Sequence, residues 1–199
     1  MPCFNPGATV ALSSPGRLRI PELARLHERH PGLTRAIAES YAEAAAVCLD
    51  RHHQSPVFVR VSGEQSSVEY ELTWPRSTGR QVGAWANADD ATRDGAYSLA
   101  LGAAECHLGL VALARARTRT GADYPVGPAG SEVSPQDGEL DLEAAARLEV
   151  SGIDRCDHEA DLLYRLRSKV RQTRRPRLAS AAIAGVVAFN LGRVAFQNA

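Results

Sequence analysis

Lysine is nearly missing from this chain. Of its 23 basic side chains Lys169 is the one ammonium, and all the others are arginine. Net charge is missing as well, with 23 acids against 23 bases. This excludes a uniform positive field, so any attraction to nucleic acid has to come from a local patch. No CxxC or comparable metal spacing occurs, and Cys3, Cys48, Cys106 and Cys156 are scattered along the chain. That excludes a cysteine-zinc module and points to reduced thiols, not a disulfide framework. Long apolar runs are absent too. The longest candidate, "LASAAIAGVVAF" at 178–189, falls well short of the roughly 20 residues a bilayer span needs and reads as a buried strand. "MPCFNPGATVALSSPG" at the start has neither the basic region nor the continuous apolar core of a signal peptide. The expectation is a cytoplasmic protein without a membrane partner. The motifs GxSxG, GxxxxGK[ST] and GxGxxG do not occur, which removes the common signatures of a nucleophile elbow, a P-loop and a dinucleotide site.

What is present suits a folded domain. Hydrophobic residues make up 44% and charged residues 23% of 199 positions, an average soluble composition and enough chain to bury a core. Residues 1–18, with Pro2, Pro6, Gly7, Pro15 and Gly16, read as a loose arm. Residues 19–199 read as one α/β domain, with a helix and hairpin extension at 19–75 and a core at 88–199. Pro21 opens a helix to about His30, and Thr34 is a candidate N-cap for an alanine-rich helix ending before Pro56. In "SVEYELTW", Val68, Tyr70, Leu72 and Trp74 alternate with Glu69, Glu71 and Thr73, the pattern of a half-buried strand. "VFVRVSG" is its expected hairpin partner. An apolar pattern from Ala91 to Arg117 predicts a long central helix. Strands follow at "GADYPVGP" and "ARLEVSGI", then a helix carrying Lys169, the strand "AIAGVVAF" and a last strand at "RVAFQNA". His52 and His53 sit where an imidazolium would favour the end of a helix dipole.

The charges that cancel in the total are segregated. Residues 132–161 hold ten acids against two arginines, and 165–177 hold seven bases and no acid. Glu149 and Ser151 are two apart and project from one strand face. If the strand with Asp123 pairs with theirs, neighbouring positions about 5 Å apart bring Asp123 near Glu149. Two carboxylates that close repel unless a cation or proton lies between them, and hard oxygen ligands completed by water are what Mg²⁺ prefers. The plainer reading leaves both acids on solvent-facing halves of their strands. Glu105 stands among apolar neighbours, where an unpartnered carboxylate is costly; it faces a cation or polar cavity, or pairs with an arginine. Arg165, Lys169 and Gln172 fall on one helix face. The arginines at 165, 167, 171, 174, 175 and 177 form either a phosphate-binding stripe or a solvated basic face.

This pattern resembles the PD-(D/E)xK (restriction-endonuclease-like) superfamily. Its core runs helix, strand, strand, strand, helix, strand, and its signature is an Asp followed by Glu-x-Lys on the next strand. The likeness, to a bacterial branch of that superfamily, covers about residues 55–190, through "WPRSTGRQVGAWANADDATRDGAYSLAL", "TGADYPVGP", "ARLEVSGI" and "KVRQT". The resemblance implies a mixed sheet flanked by helices. It also implies Mg²⁺ or Mn²⁺ held by Asp123 and Glu149 with help from Glu105, and cleavage of phosphodiester bonds in DNA or RNA. Ser151 stands where the signature has lysine, and Lys169 on the following helix is the substitute the resemblance implies. Gln172 then orients a ligand, and Arg165, Arg167, Arg171, Arg174, Arg175 and Arg177 grip phosphates. The alternative is an inactive nuclease-fold module binding nucleic acid or a protein partner in a bacterial defence or mobile-element system. A third reading makes the helix at 34–52 and the hairpin at 57–74 an interface for a second copy or another protein.

Overall fold

Thr34 has extended backbone and its hydroxyl accepts the Ile37 N–H, so helix α1 begins at the next residue and spans Arg35–Asp50. The segment before it is a short 3-10 turn, Leu23–Glu28, not the longer helix expected from Pro21 to His30. Leu23 and Leu26 eclipse one another in that geometry and are both buried. Strands β1 (Val57–Ser62) and β2 (Ser67–Leu72) form the expected antiparallel hairpin, with Val57 opposite Leu72. Alternation fails at one position, because Glu71 is 7% exposed although it lies on the polar half of the pattern. The chain before the 3-10 turn explains this. Glu71 N–H donates to Leu18 and Ile20 N–H donates to Glu71, while Arg17 and Arg19 reach its carboxylate at 3.4 and 2.7 Å. The computed structural model describes residues 17–116, 123–131, 145–173 and 181–199. The arm expected at 1–18 thus lies outside the described residues except for its last two positions, and Leu18 is bonded to β2.

After α2 (Gly79–Ala84), Asn87 caps α3, which spans Ala88–Leu108. The expected helix to Arg117 stops earlier because Gly109 adopts a left-handed conformation at φ 68° and its N–H returns to Glu105. Leu110–Ala112 then forms β3, so the apolar residues that extend the helical pattern belong to a buried strand. The remaining elements are β4 (Tyr124–Pro128), β5 (Ala146–Ile153), α4 (Glu159–Thr173), β6 (Ala182–Ala188) and β7 (Arg193–Asn198).

The architecture is mixed α/β. A seven-stranded sheet has the order β2-β1-β7-β6-β5-β4-β3. β3, β4 and β5 form an antiparallel meander; β5 and β6 are parallel, as a crossover through α4 requires, and β7 lies antiparallel to β6. One core lies between the sheet and α1, α3 and the 3-10 turn; the other lies under α4, where Leu162, Leu166 and Val170 meet Ala184, Val186 and Ala188. The two faces of β5 serve different layers. Leu148 and Val150 enter the α1/α3 core, whereas Ile153 packs with the α4 core, on the face that Glu149 and Ser151 share. Gly152 permits close docking of β5 on α3, since a Cβ there would meet the Thr92 carbonyl oxygen at 2.5 Å. Among the described residues no helix is long and apolar enough to cross a membrane.

Candidate functional site

Lys169 points at β5. The apolar stripe Leu162, Leu166, Val170 pins α4 to the sheet, and Lys169 follows the middle of that stripe by one helical turn. Its Nζ donates to Glu149 Oε1 at 2.9 Å, with the two side chains 20% and 18% exposed. An ammonium from the helix therefore stands over the face that Ser151 shares with Glu149. Sequence reasoning passed over Arg147, two residues before Glu149 and on the same side of β5. It is 7% exposed, and its Nε and Nη1 have no hydrogen-bond partner among the described residues. An arginine at an inward parity position of "ARLEVSGI" was the available signal.

Asp123 lies just before β4. The antiparallel register pairs Tyr124 with Leu148, which carries Asp123 to the level of Glu149. The side chains nevertheless turn to different layers. Asp123 Oδ2 accepts the Val150 N–H at 2.8 Å and Oδ1 accepts the Tyr97 hydroxyl at 2.8 Å, toward α3, while Glu149 meets α4. Burial, and then the Asp123 charge, push the Tyr97 phenol up to about 12. Arg115 packs over the Tyr97 and Tyr124 rings at 4.4 and 4.7 Å and donates to the Tyr41 and Tyr124 hydroxyls. Tyr97 reads in the sequence as one more apolar residue of the central helix, so its hydroxyl was the overlooked signal.

The expected convergence of three acids does not occur. Both oxygens of Glu105 are taken, one by Arg29 Nε at 2.6 Å and the other by His30 Nε2 at 3.1 Å. His30 Nδ1 accepts the Ala112 N–H, so its hydrogen is on Nε2 and is donated to Glu105. Burial would raise the Glu105 carboxyl, but the hydrogen bonds from His30 and Arg29 outweigh it and hold the group below its ordinary value. Glu105 is also eight residues beyond Tyr97, about 12 Å along the helix axis. It belongs to a partly buried cluster with Arg29 and His30 that ties α3 to the 3-10 turn. Among the described residues no group of three or more His, Cys, Asp or Glu could hold a metal ion.

The other candidates divide. Arg165, Arg167, Arg171 and Gln172 are exposed on α4; Arg165 lines a groove of about 580 Å³ with Ile153, Arg155 and Tyr164. Arg174, Arg175 and Arg177 lie outside the described residues. His52 and His53 stand just past the end of α1, and their Nε2 atoms meet Asp154 at 3.3 Å and the Phe189 carbonyl at 2.7 Å, tying the end of that helix to the turns after β5 and β6. Comparison of the chain with family models, curated proteins and solved structures gives no match.

Proposed function

We propose that this protein is a divalent-metal-dependent nuclease with a restriction-endonuclease-like core, cleaving phosphodiester bonds in DNA or RNA. The observation that carries the reading is the 2.9 Å contact of Lys169 with Glu149. The only lysine in the chain reaches, from a different element, the strand face on which the superfamily signature has one. The run α3, β3, β4, β5, α4, β6 supports it as well, being the helix, strand, strand, strand, helix, strand order of that core.

The donor set fits a hard cation on the Glu149 side only, because the Asp123 side chain turns toward α3. Glu149 Oε2 has no hydrogen-bond partner among the described residues, and each Asp123 oxygen accepts one bond from them. On this reading Mg²⁺ or Mn²⁺ would be held by Glu149 with water completing the shell, and would supply charge neutralisation and a more acidic water. Lys169 orients Glu149 and offers a compact charge to a phosphate oxygen, a role for which a planar guanidinium is poorly shaped. Tyr97 and the Val150 N–H position Asp123. Gln172 and the exposed arginines of α4 meet the substrate backbone by counterion release.

The test is cleavage of linear, circular and single-stranded DNA and of RNA with Mg²⁺ or Mn²⁺. Glu149→Gln and Lys169→Met are expected to lose about 10²-fold or more. Wild-type protein that cuts none of these substrates rejects the reading. A second reading is a nuclease-fold module without turnover, binding nucleic acid or a protein partner. The turning of Asp123 toward Tyr97, away from the Glu149 side chain, favours it. It predicts salt-sensitive binding that is indifferent to divalent metal.

A further inference from the structure

We propose that Ser66 is a nucleophile activated by His107, and that it accepts the acyl group of small carboxylic esters. The site stands at the β1–β2 turn and the last turn of α3, and shares no residue with the nuclease reading. Ser66 Oγ lies 3.2 Å from His107 Nε2, and His107 Nδ1 lies 3.3 Å from the Tyr70 hydroxyl. The Tyr70 hydroxyl is also 3.2 Å from the Cys106 carbonyl. That carbonyl belongs to the end of a helix, where backbone oxygens lack intrahelical partners, and it can only accept. The phenol hydrogen goes to it, which leaves the Tyr70 oxygen to accept from Nδ1–H. The lone pair of His107 is then on Nε2, facing Ser66. A hydroxyl, a base in hydrogen-bond reach and a third group that orients the base make up the general pattern of an activated nucleophile.

Access and chemistry agree with this polarity. Ser66 is exposed on the turn, and a cavity of about 360 Å³ opens there, lined by Gly63, Ser66 and His107 with Leu108, Ile183 and Phe196 as its apolar wall. A Cβ at position 63 would stand 3.3 Å from Nε2, so glycine keeps the base uncovered. Burial lowers the His107 pKa while the Ser66 backbone carbonyl partly opposes it, which favours the neutral imidazole a general base requires. In the reaction, Ser66 Oγ bonds to the ester carbonyl carbon and its proton passes to Nε2. The bond from that carbon to the alkoxy oxygen breaks, and the alkoxide leaves with the proton. Water repeats the sequence on acyl-Ser66, releasing the carboxylic acid and restoring the serine.

The probe is 4-nitrophenyl acetate, read both by release of 4-nitrophenolate and by peptide mass spectrometry of the acetylated protein. Wild type is expected to carry acetyl on Ser66. Ser66→Ala, a change at an exposed turn that leaves the fold intact, abolishes that adduct and the accompanying burst. His107→Gln slows acylation about 10²-fold or more, and Tyr70→Phe moves the pH midpoint of acylation while retaining the adduct on Ser66. An adduct found on other residues with Ser66 unmodified overturns the proposal, as does acylation of Ser66 at an unchanged rate in His107→Gln. These readouts are independent of nucleic acid cleavage.

Discussion

Glu105, between α3 and the residues that follow the 3-10 turn, and Glu149, between β5 and α4, are both partly buried carboxylates that meet a base, yet they are built for different work. Glu105 has a partner on each oxygen, from Arg29 and His30. Among the described residues Glu149 has one partner on one oxygen, Lys169. A carboxylate with a partner on each oxygen is a fastener: it holds α3, the 3-10 turn and, through His30, the Ala112 backbone of β3 in one arrangement. A half-satisfied one with a flexible ammonium beside it keeps valence for a ligand. Counting unmet lone pairs, more than counting acids, separates the two.

The comparison breaks most sharply under substitution. Glu105→Ala strands Arg29 and a fully buried His30, and is expected to cost about 3 kcal/mol, the low end for breaking a buried pair because Arg29 is partly exposed. Urea denaturation followed by circular dichroism reads this directly; a loss under half a kcal/mol would put Glu105 in the same class as Glu149. Glu149→Gln keeps an acceptor for Lys169 and is expected to change stability by about 1 kcal/mol or less, while removing nuclease turnover on the proposed reading. The acid limb of stability sharpens the contrast further. The folded Glu105 pKa is depressed below its ordinary 4.5, so its contribution is complete above that value and disappears as pH falls through the folded pKa. Denaturation midpoints measured down through this range are expected to fall less steeply in Glu105→Gln than in wild type. The smallest effect is Tyr97→Phe, which removes the hydroxyl bond to Asp123 and is expected to cost about 1 kcal/mol in the same urea denaturation.

Much of the fold was legible because local rules agree with it. Thr34 caps where an N-cap is expected, Val68, Tyr70 and Leu72 alternate as a half-buried strand, and "ARLEVSGI" begins and ends as read. The errors have physical causes. The helical apolar pattern runs on past Leu108, but the left-handed glycine at 109 ends the helix, and Leu110 opens a strand whose Val111 and Ala112 are buried. Glu71 sits on the polar half of its strand, and only arginines some fifty residues away make its burial tolerable.

The site divides along the same line. Lys169 was conspicuous from composition, and its reach to Glu149 follows from a helix packed back over the strand it leaves. That Glu105 would be closed by Arg29 and His30, that Asp123 would turn to Tyr97, and that Ser66 would meet His107 are pairings between residues 26 to 76 positions apart. Element type, caps and strand faces are matters of neighbouring residues, whose preferences are written in the order of the chain. Which carboxylate is sealed and which is left open depends on groups that meet only after the sheet has assembled, because hydrogen bonds act over about 3 Å in space whatever the separation along the backbone.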